Sequence, residues 1–191
     1  MDYTLPMAAN TTLMTVQQFL ELPDEQLRRH ELWHGELIEV GENTFTHNWI
    51  REMLFFCIRQ FLLASKVGGE VLVETGIQFD THTLARPDVS YWDAPHLAAI
   101  DRNHSPVEIV RQLLAEVVSP SNSLRTLFRN AEYYLRAGVQ VVWILDRNPF
   151  EIHIFEKGQA KRTIRPGEIL EAPSVLPGFS ANVSNFVPPV K

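Results

Sequence analysis

The chain has very little cysteine, with Cys57 alone among 191 residues, so no internal disulfide can form and thiolate metal clusters are excluded. It also lacks any apolar run near the roughly 18–20 residues that a membrane-spanning helix needs. Its most apolar stretch, Met53 to Ala64, is broken by Arg59 and Gln60. The first residues, Met1 to Leu13, carry no basic start, apolar middle or small-residue cleavage site, and a cytoplasmic location is expected. Positive charge is in short supply as well. A net charge of −6 argues against broad, salt-driven coating of nucleic acid and leaves room only for a local basic patch. No repeat, low-complexity tract or linker is evident. With 45% hydrophobic residues, the chain suits a single domain over residues 15–187 behind a loose tail at 1–14.

What the sequence does contain is a clear succession of elements. Thr15 followed by Gln18 forms a capping box ahead of a short helix from Val16 to Glu21. His30 to Val40 reads as a hairpin turning at His34-Gly35, which puts Glu31 and Glu36 on adjacent strands. Ile50, Met53, Leu54, Cys57, Ile58, Phe61 and Leu62 recur at helical spacing, and Gly68-Gly69 ends that helix. Val71 to Phe79 is expected as one strand kinked at Gly76, and Pro87 to Trp92 as another. Leu113 to Val118 is a buried strand carrying one acid, Glu116. A stripe of Leu124, Leu127, Phe128, Ala131, Tyr134 and Leu135 then leads through Gly138 into the strand Val141 to Leu145, which predicts a parallel crossover. Ile152 to Phe155 starts a second hairpin, and the Pro- and Gly-punctuated tail to Phe186 is expected to add edge strands. The fold class is α/β, a mixed sheet flanked by helices.

Two acids stand out. Stripping water from a carboxylate costs several kcal/mol even after relaxation, so Glu116 inside its apolar run must find a cation, a proton or a donor. A divalent ion with oxygen ligands is one solution, and an ion pair with Arg86 or Arg125 is the other. Asp88 opens the preceding strand and could converge on the same ion.

Six segments occur in order: Glu31-Leu32-Trp33-His34-Gly35-Glu36-Leu37; His47 opening a helix; Arg86-Pro87-Asp88-Val89; Glu116-Val117-Val118-Ser119-Pro120-Ser121; Tyr134-Leu135-Arg136-Ala137-Gly138-Val139; and Trp143-Ile144-Leu145-Asp146. Together they resemble the Uma-two family of endonucleases, within the restriction-endonuclease-like superfamily named for its PD-(D/E)XK pattern. The resemblance spans about residues 15–187. It implies a restriction-endonuclease-like core and DNA as substrate, with Asp88 and Glu116 as ligands of Mg²⁺ or Mn²⁺. It further implies Glu36 as an additional acid near the site and His47 as the histidine that opens the first long helix. A homodimer is expected.

The pattern departs from the family at its lysine. Two residues after Glu116 stands Val118, and the position on the following helix where many members carry lysine is Asn130. No lysine occurs between Lys66 and Lys157, so Arg86, Arg125 and Arg129 are the available cations. Asn130 borders the buried stripe and can only orient water or donate a neutral hydrogen bond. The expectation is therefore a metal-dependent DNA endonuclease of reduced activity. The alternatives are an inactive nuclease fold that binds DNA or protein, and a homo-oligomeric structural protein with Phe55, Phe56 and Trp92 at its interface.

Overall fold

A computed structural model of the protein describes residues 13–108, 112–120 and 122–189. Most of the expected tail, and Ser121 of the segment that begins at Glu116, lie outside the described residues. Helices α1 (Val16–Leu20) and α2 (Asp24–Arg29) lead into strands β1 (His30–Trp33) and β2 (Glu36–Glu39). Then come α3 (Phe45–Ala64), β3 (Glu70–Val73), β4 (Ile77–Asp80), β5 (Thr83–Ala85), β6 (Val89–Trp92) and α4 (Ala94–Ala98). Strand β7 (Leu113–Val117), helix α5 (Leu124–Arg136) and strand β8 (Val141–Arg147) follow. The chain closes with β9 (Phe150–Glu156), β10 (Arg162–Ile164), β11 (Ile169–Ala172), β12 (Leu176–Asn182) and a 3-10 turn at Val183–Phe186.

The main sheet has six strands in the order β10-β9-β8-β7-β6-β3. It is mixed, because β7 and β8 run parallel across the α5 crossover while their other neighbours are antiparallel. Helices α3 and α5 cover its opposite faces, and strand alternation decides which side chain meets which helix. On β7, Leu113, Ala115 and Val117 pack with Ile50, Leu54 and Ile58 of α3. Leu114 packs with Leu127, Ala131 and Tyr134 of α5. On β8 the same division sends Trp143 toward α3 and Ile144 toward α5. Strands buried on both faces carry near-continuous apolar runs, which is why both were legible.

Three expectations need correction. The single kinked strand over Val71 to Phe79 is two strands in different sheets: β3 edges the main sheet, and β4 belongs to a four-stranded sheet ordered β2-β1-β5-β4. The chain turns between them at Glu74, whose φ of 47° is uncommon for a residue other than glycine. An Arg51–Glu74 ion pair and a hydrogen bond from Asn43 hold that turn. At the C-terminus β10 is an edge strand, but β11 and β12 form a separate ladder whose Leu170, Leu176 and Phe179 join the α3 side of the core. Of the three candidate interface aromatics, Trp92 is wholly buried and Phe55 packs against the core, leaving Phe56 exposed.

The hairpin turn follows its sequence. His34 and Gly35 both take positive φ, 51° and 81°, as a tight two-residue turn requires. Helix α2 was not foreseen, because it buries no residue and has no apolar periodicity. It is tethered instead by the Arg86 guanidinium, which donates to the carbonyl oxygens of Leu27 and His30.

Leu54 is fully buried between α3 and the sheet, whereas Phe56, two residues on, is 54% exposed. Leu54→Ala is expected to cost about 2–5 kcal/mol of unfolding free energy. Phe56→Ala should stay within about 0.5 kcal/mol of the unaltered protein. Urea titration of both variants measures the difference.

Candidate active site

The antiparallel register pairs Val89 of β6 with Ala115 of β7. One step further along both strands, Asp88 stands opposite Glu116. Pro87 immediately before it favours extended backbone and can precede the strand without breaking the ladder. The Asp88 amide donates to Glu116 Oε2 at 3.4 Å, and Asp88 Oδ2 accepts from the Val117 amide at 2.7 Å. The two acids expected to converge are thus direct neighbours across a strand pair.

His47 reaches the same carboxylate from the other side of the sheet. Thr44 caps α3 by accepting from the His47 amide at 3.2 Å, which fixes His47 in the first turn. Its buried side chain places Nε2 at 3.2 Å from Asp88 Oδ2. Nδ1 is buried without a hydrogen-bond partner. The tautomer with its proton on Nε2 donates to Asp88 and leaves only a lone pair unpaired, which costs less than a buried N–H without an acceptor.

Glu116 follows the parity of Leu114 and projects toward α5, where the Tyr134 hydroxyl donates to Oε1 at 2.8 Å. Tyr134 was read from the sequence as part of the apolar stripe and of one family segment, with no role at the site. The available signal was chemical: a phenol on a buried helix face usually finds a hydrogen-bond partner. Glu31 was the other underweighted residue. Its Oε1 accepts from the Arg86 amide at 2.7 Å and its Oε2 from Trp33 Nε1 at 2.8 Å.

These groups form the floor of an open cleft of about 1130 Å³, and Glu36, His47, Asp88, Glu116 and Asn130 all line it. Glu36 pairs with Trp33 across the hairpin, on the same face as Glu31, but is itself exposed. Asn130 is partly buried one helical turn before Tyr134. Val118 continues the ladder by donating its amide to Leu145 O at 2.9 Å.

The electrostatics of the floor are one-sided. Glu116 is pushed well above the ordinary carboxylate value by burial, and further by the charges of Asp88 and Glu31. Burial also raises Glu31, against the opposing hydrogen bonds from Trp33 and Arg86. Tyr134 is raised by burial and by Glu116. Among the described residues no lysine or arginine side chain forms an ion pair with Glu31 or Glu116, so the expected alternative of pairing with Arg86 or Arg125 is not realised.

Whether the residues present fit a divalent ion can be judged from this charge. Among the described residues no three His, Cys, Asp or Glu side chains are gathered into a ready-made cage. Mg²⁺ does not need one, since it commonly takes one or two carboxylates and keeps several waters. Two adjacent acids, one destabilised as an anion by its neighbours, suit such an ion.

A carboxyl raised in the folded state adds stability below its unfolded pKa and loses it as pH rises through the folded value. Glu116→Gln is therefore expected to raise the melting temperature at pH 8 in metal-free buffer. The gain should disappear below about pH 4, where the acid is protonated in both states. Thermal melts at the two pH values test this, and an equal gain at both would contradict the charge origin.

No curated protein matches the sequence. Solved structures do, including the crystal structure of a "putative nuclease belonging to DUF820" from Anabaena variabilis ATCC 29413. It aligns with a TM-score of 0.76 at 19% identity, covering 91% of this chain and 97% of the other. That likeness bears on the fold, a restriction-endonuclease-like core. The family model Uma2, described as "Putative restriction endonuclease", matches residues 16–184, nearly the whole of the described core. The chain belongs to the Uma2 family.

Proposed function

We propose that the protein is a metal-dependent DNA endonuclease that hydrolyses phosphodiester bonds at the cleft floor. The observation that carries this is the cross-strand pair of Asp88 and Glu116, gathered at the base of an open cleft with no side-chain cation between them. Asp88 and Glu116 would hold Mg²⁺ or Mn²⁺. When bound, the ion polarises a phosphoryl oxygen and lowers the pKa of its water.

The remaining residues position and hydrate. His47 Nε2 steadies Asp88 from α3, and the Val117 amide holds the same oxygen. The Tyr134 hydroxyl fixes one oxygen of Glu116. Asn130, facing the cleft one turn earlier, can orient a water or donate to a phosphate oxygen. Glu36 at the rim is assigned a supporting role in binding water or metal. A homodimer and a cytoplasmic location complete the proposal, the former suggested by Phe56 and Leu63 exposed on α3.

The absence of lysine supports a second reading, an inactive nuclease fold that binds DNA or a protein partner. Val118 is held in the ladder, and Asn130 brings no charge. Losing a single transition-state donor commonly lowers the rate on the order of 10²-fold to 10³-fold.

Incubation of the purified protein with supercoiled and linear DNA in Mg²⁺ or Mn²⁺ is the direct test. Nicking is expected, and Asp88→Asn and Glu116→Gln should each reduce it at least about 10²-fold. DNA left intact, or variants that cut as well as the unaltered protein, sinks the endonuclease assignment. Asn130→Lys separates the two readings. It should raise cutting about 10-fold or more if the site lacks only one donor. No change in rate favours the binding role.

A further inference from the structure

The two walls of the cleft differ in charge. On the hairpin side the lining acids are Glu36, Glu39, Glu42 and Glu74. The arginines on that side are engaged, Arg29 with Glu25 and Glu39, Arg28 with Asp24, and Arg86 with two carbonyl oxygens; Glu74 is paired with Arg51, which leaves Glu36 and Glu42 without a basic partner among the described residues. The α5 wall carries Arg129 and Arg136, both exposed. Among the described residues neither has a carboxylate within 4 Å.

Arg129 and Arg136 are seven residues apart, so they share one side of α5 at a separation of about 10.5 Å along its axis. Thr126 and Asn130 line the same wall and add neutral donors. Arg129, Arg136, Asp88 and Glu116 all line the same cleft, so the stripe and the acid pair face one space. Arginine stays charged and its planar fork matches phosphate oxygens. Duplex DNA carries one phosphate per roughly 3.4 Å of axis on each strand, so the two side chains would meet different phosphates of one strand.

We infer that this stripe of α5 is a rail that seats one strand of duplex DNA by its phosphates. The acidic hairpin wall repels the same backbone and fixes the side on which it lies. The inference rests on DNA being the substrate and adds how that substrate is held. It also explains how a chain of net charge −6 binds a polyanion: contact is confined to one helix face.

The test is fluorescence anisotropy of a labelled DNA duplex in EDTA, across a series of salt concentrations. The Arg129→Gln, Arg136→Gln double variant should lower the slope of log K against log salt by about 1.8, at about 0.9 per lost phosphate contact. Arg102→Gln, exposed after α4 and outside the cleft lining, should leave the slope unchanged. An unchanged slope in the double variant, an equal loss in Arg102→Gln, or no salt-dependent binding by the unaltered protein overturns the rail. Cleavage in Mg²⁺ on the same preparations separates this from the endonuclease proposal. Cutting with an unchanged slope overturns the rail alone. The expected slope loss in a protein that never cuts supports the rail and overturns the endonuclease.

Discussion

One oxygen of Asp88 ties the site together. Asp88 Oδ2 accepts from the Val117 amide of β7 and lies within hydrogen-bond reach of His47 Nε2 of α3, while the residue itself immediately precedes β6. Two central strands and the long helix thus meet on a carboxylate that is 7% exposed. A buried carboxylate persists only where donors satisfy it. Here the donors belong to elements fixed by the core, Val117 by the parallel β7–β8 ladder and His47 by the Thr44 cap. The acid therefore has little freedom to turn away, and Glu116, which accepts from the Asp88 amide, is placed by it in turn.

This arrangement costs stability in the absence of a cation. Burial raises Glu116, Asp88 and Glu31 raise it further, and no arginine forms an ion pair with it among the described residues. Arg86 was the obvious candidate, but its guanidinium donates to the α2 end, and its charge and backbone amide favour Glu31 instead. An ordinary structural cluster would pair its acids, since an unpaired buried charge is among the more destabilising features a fold can hold. A large, twice-covered sheet can sustain that cost, and a perturbed carboxyl in a cleft is the arrangement expected where the group has a task other than stability.

How much of this could be read from residues differs by element, for physical reasons. Strand β7 and helix α5 were legible because each buries a regular face, and an acid inside Leu113 to Val118 has to find a cation, a proton or a donor. The capping box at Thr15 and the His34-Gly35 turn were legible because local chemistry sets them. Helix α2 was not, since a segment without an apolar face gives no periodic signal. The split between β3 and β4 was hidden because Gly76 drew attention while the turn sits at Glu74, held by Arg51 from a distant part of the chain. At the site, Asp88, Glu116 and His47 were found by pattern. Pattern also chose Glu36, but the hairpin face lets Glu31 press on Glu116 while Glu36 stays exposed at the rim. Tyr134 was missed because helical periodicity counts a tyrosine as apolar and ignores its hydroxyl.

The absent lysine and the raised carboxyl of Glu116 are two sides of one charge balance. A cation at position 130 or 118 would favour the ionised form of Glu116 and offset Asp88 and Glu31. With asparagine and valine there, no ammonium would repel a divalent ion from the floor, and an ion bound as proposed would itself favour the ionised form of Glu116. The same change removes a donor that could act on charge developing in the transition state. Under the proposed function, the lack of lysine would therefore favour the ground-state hold on metal while weakening the chemical step. Interactions equal in ground and transition states do not accelerate chemistry, so tighter metal binding cannot by itself restore the rate. On the proposed function the fold would capture the ion better than it uses it, and a donor for recovering rate would come from α5, where Arg129 and Arg136 line the cleft with no carboxylate partner among the described residues.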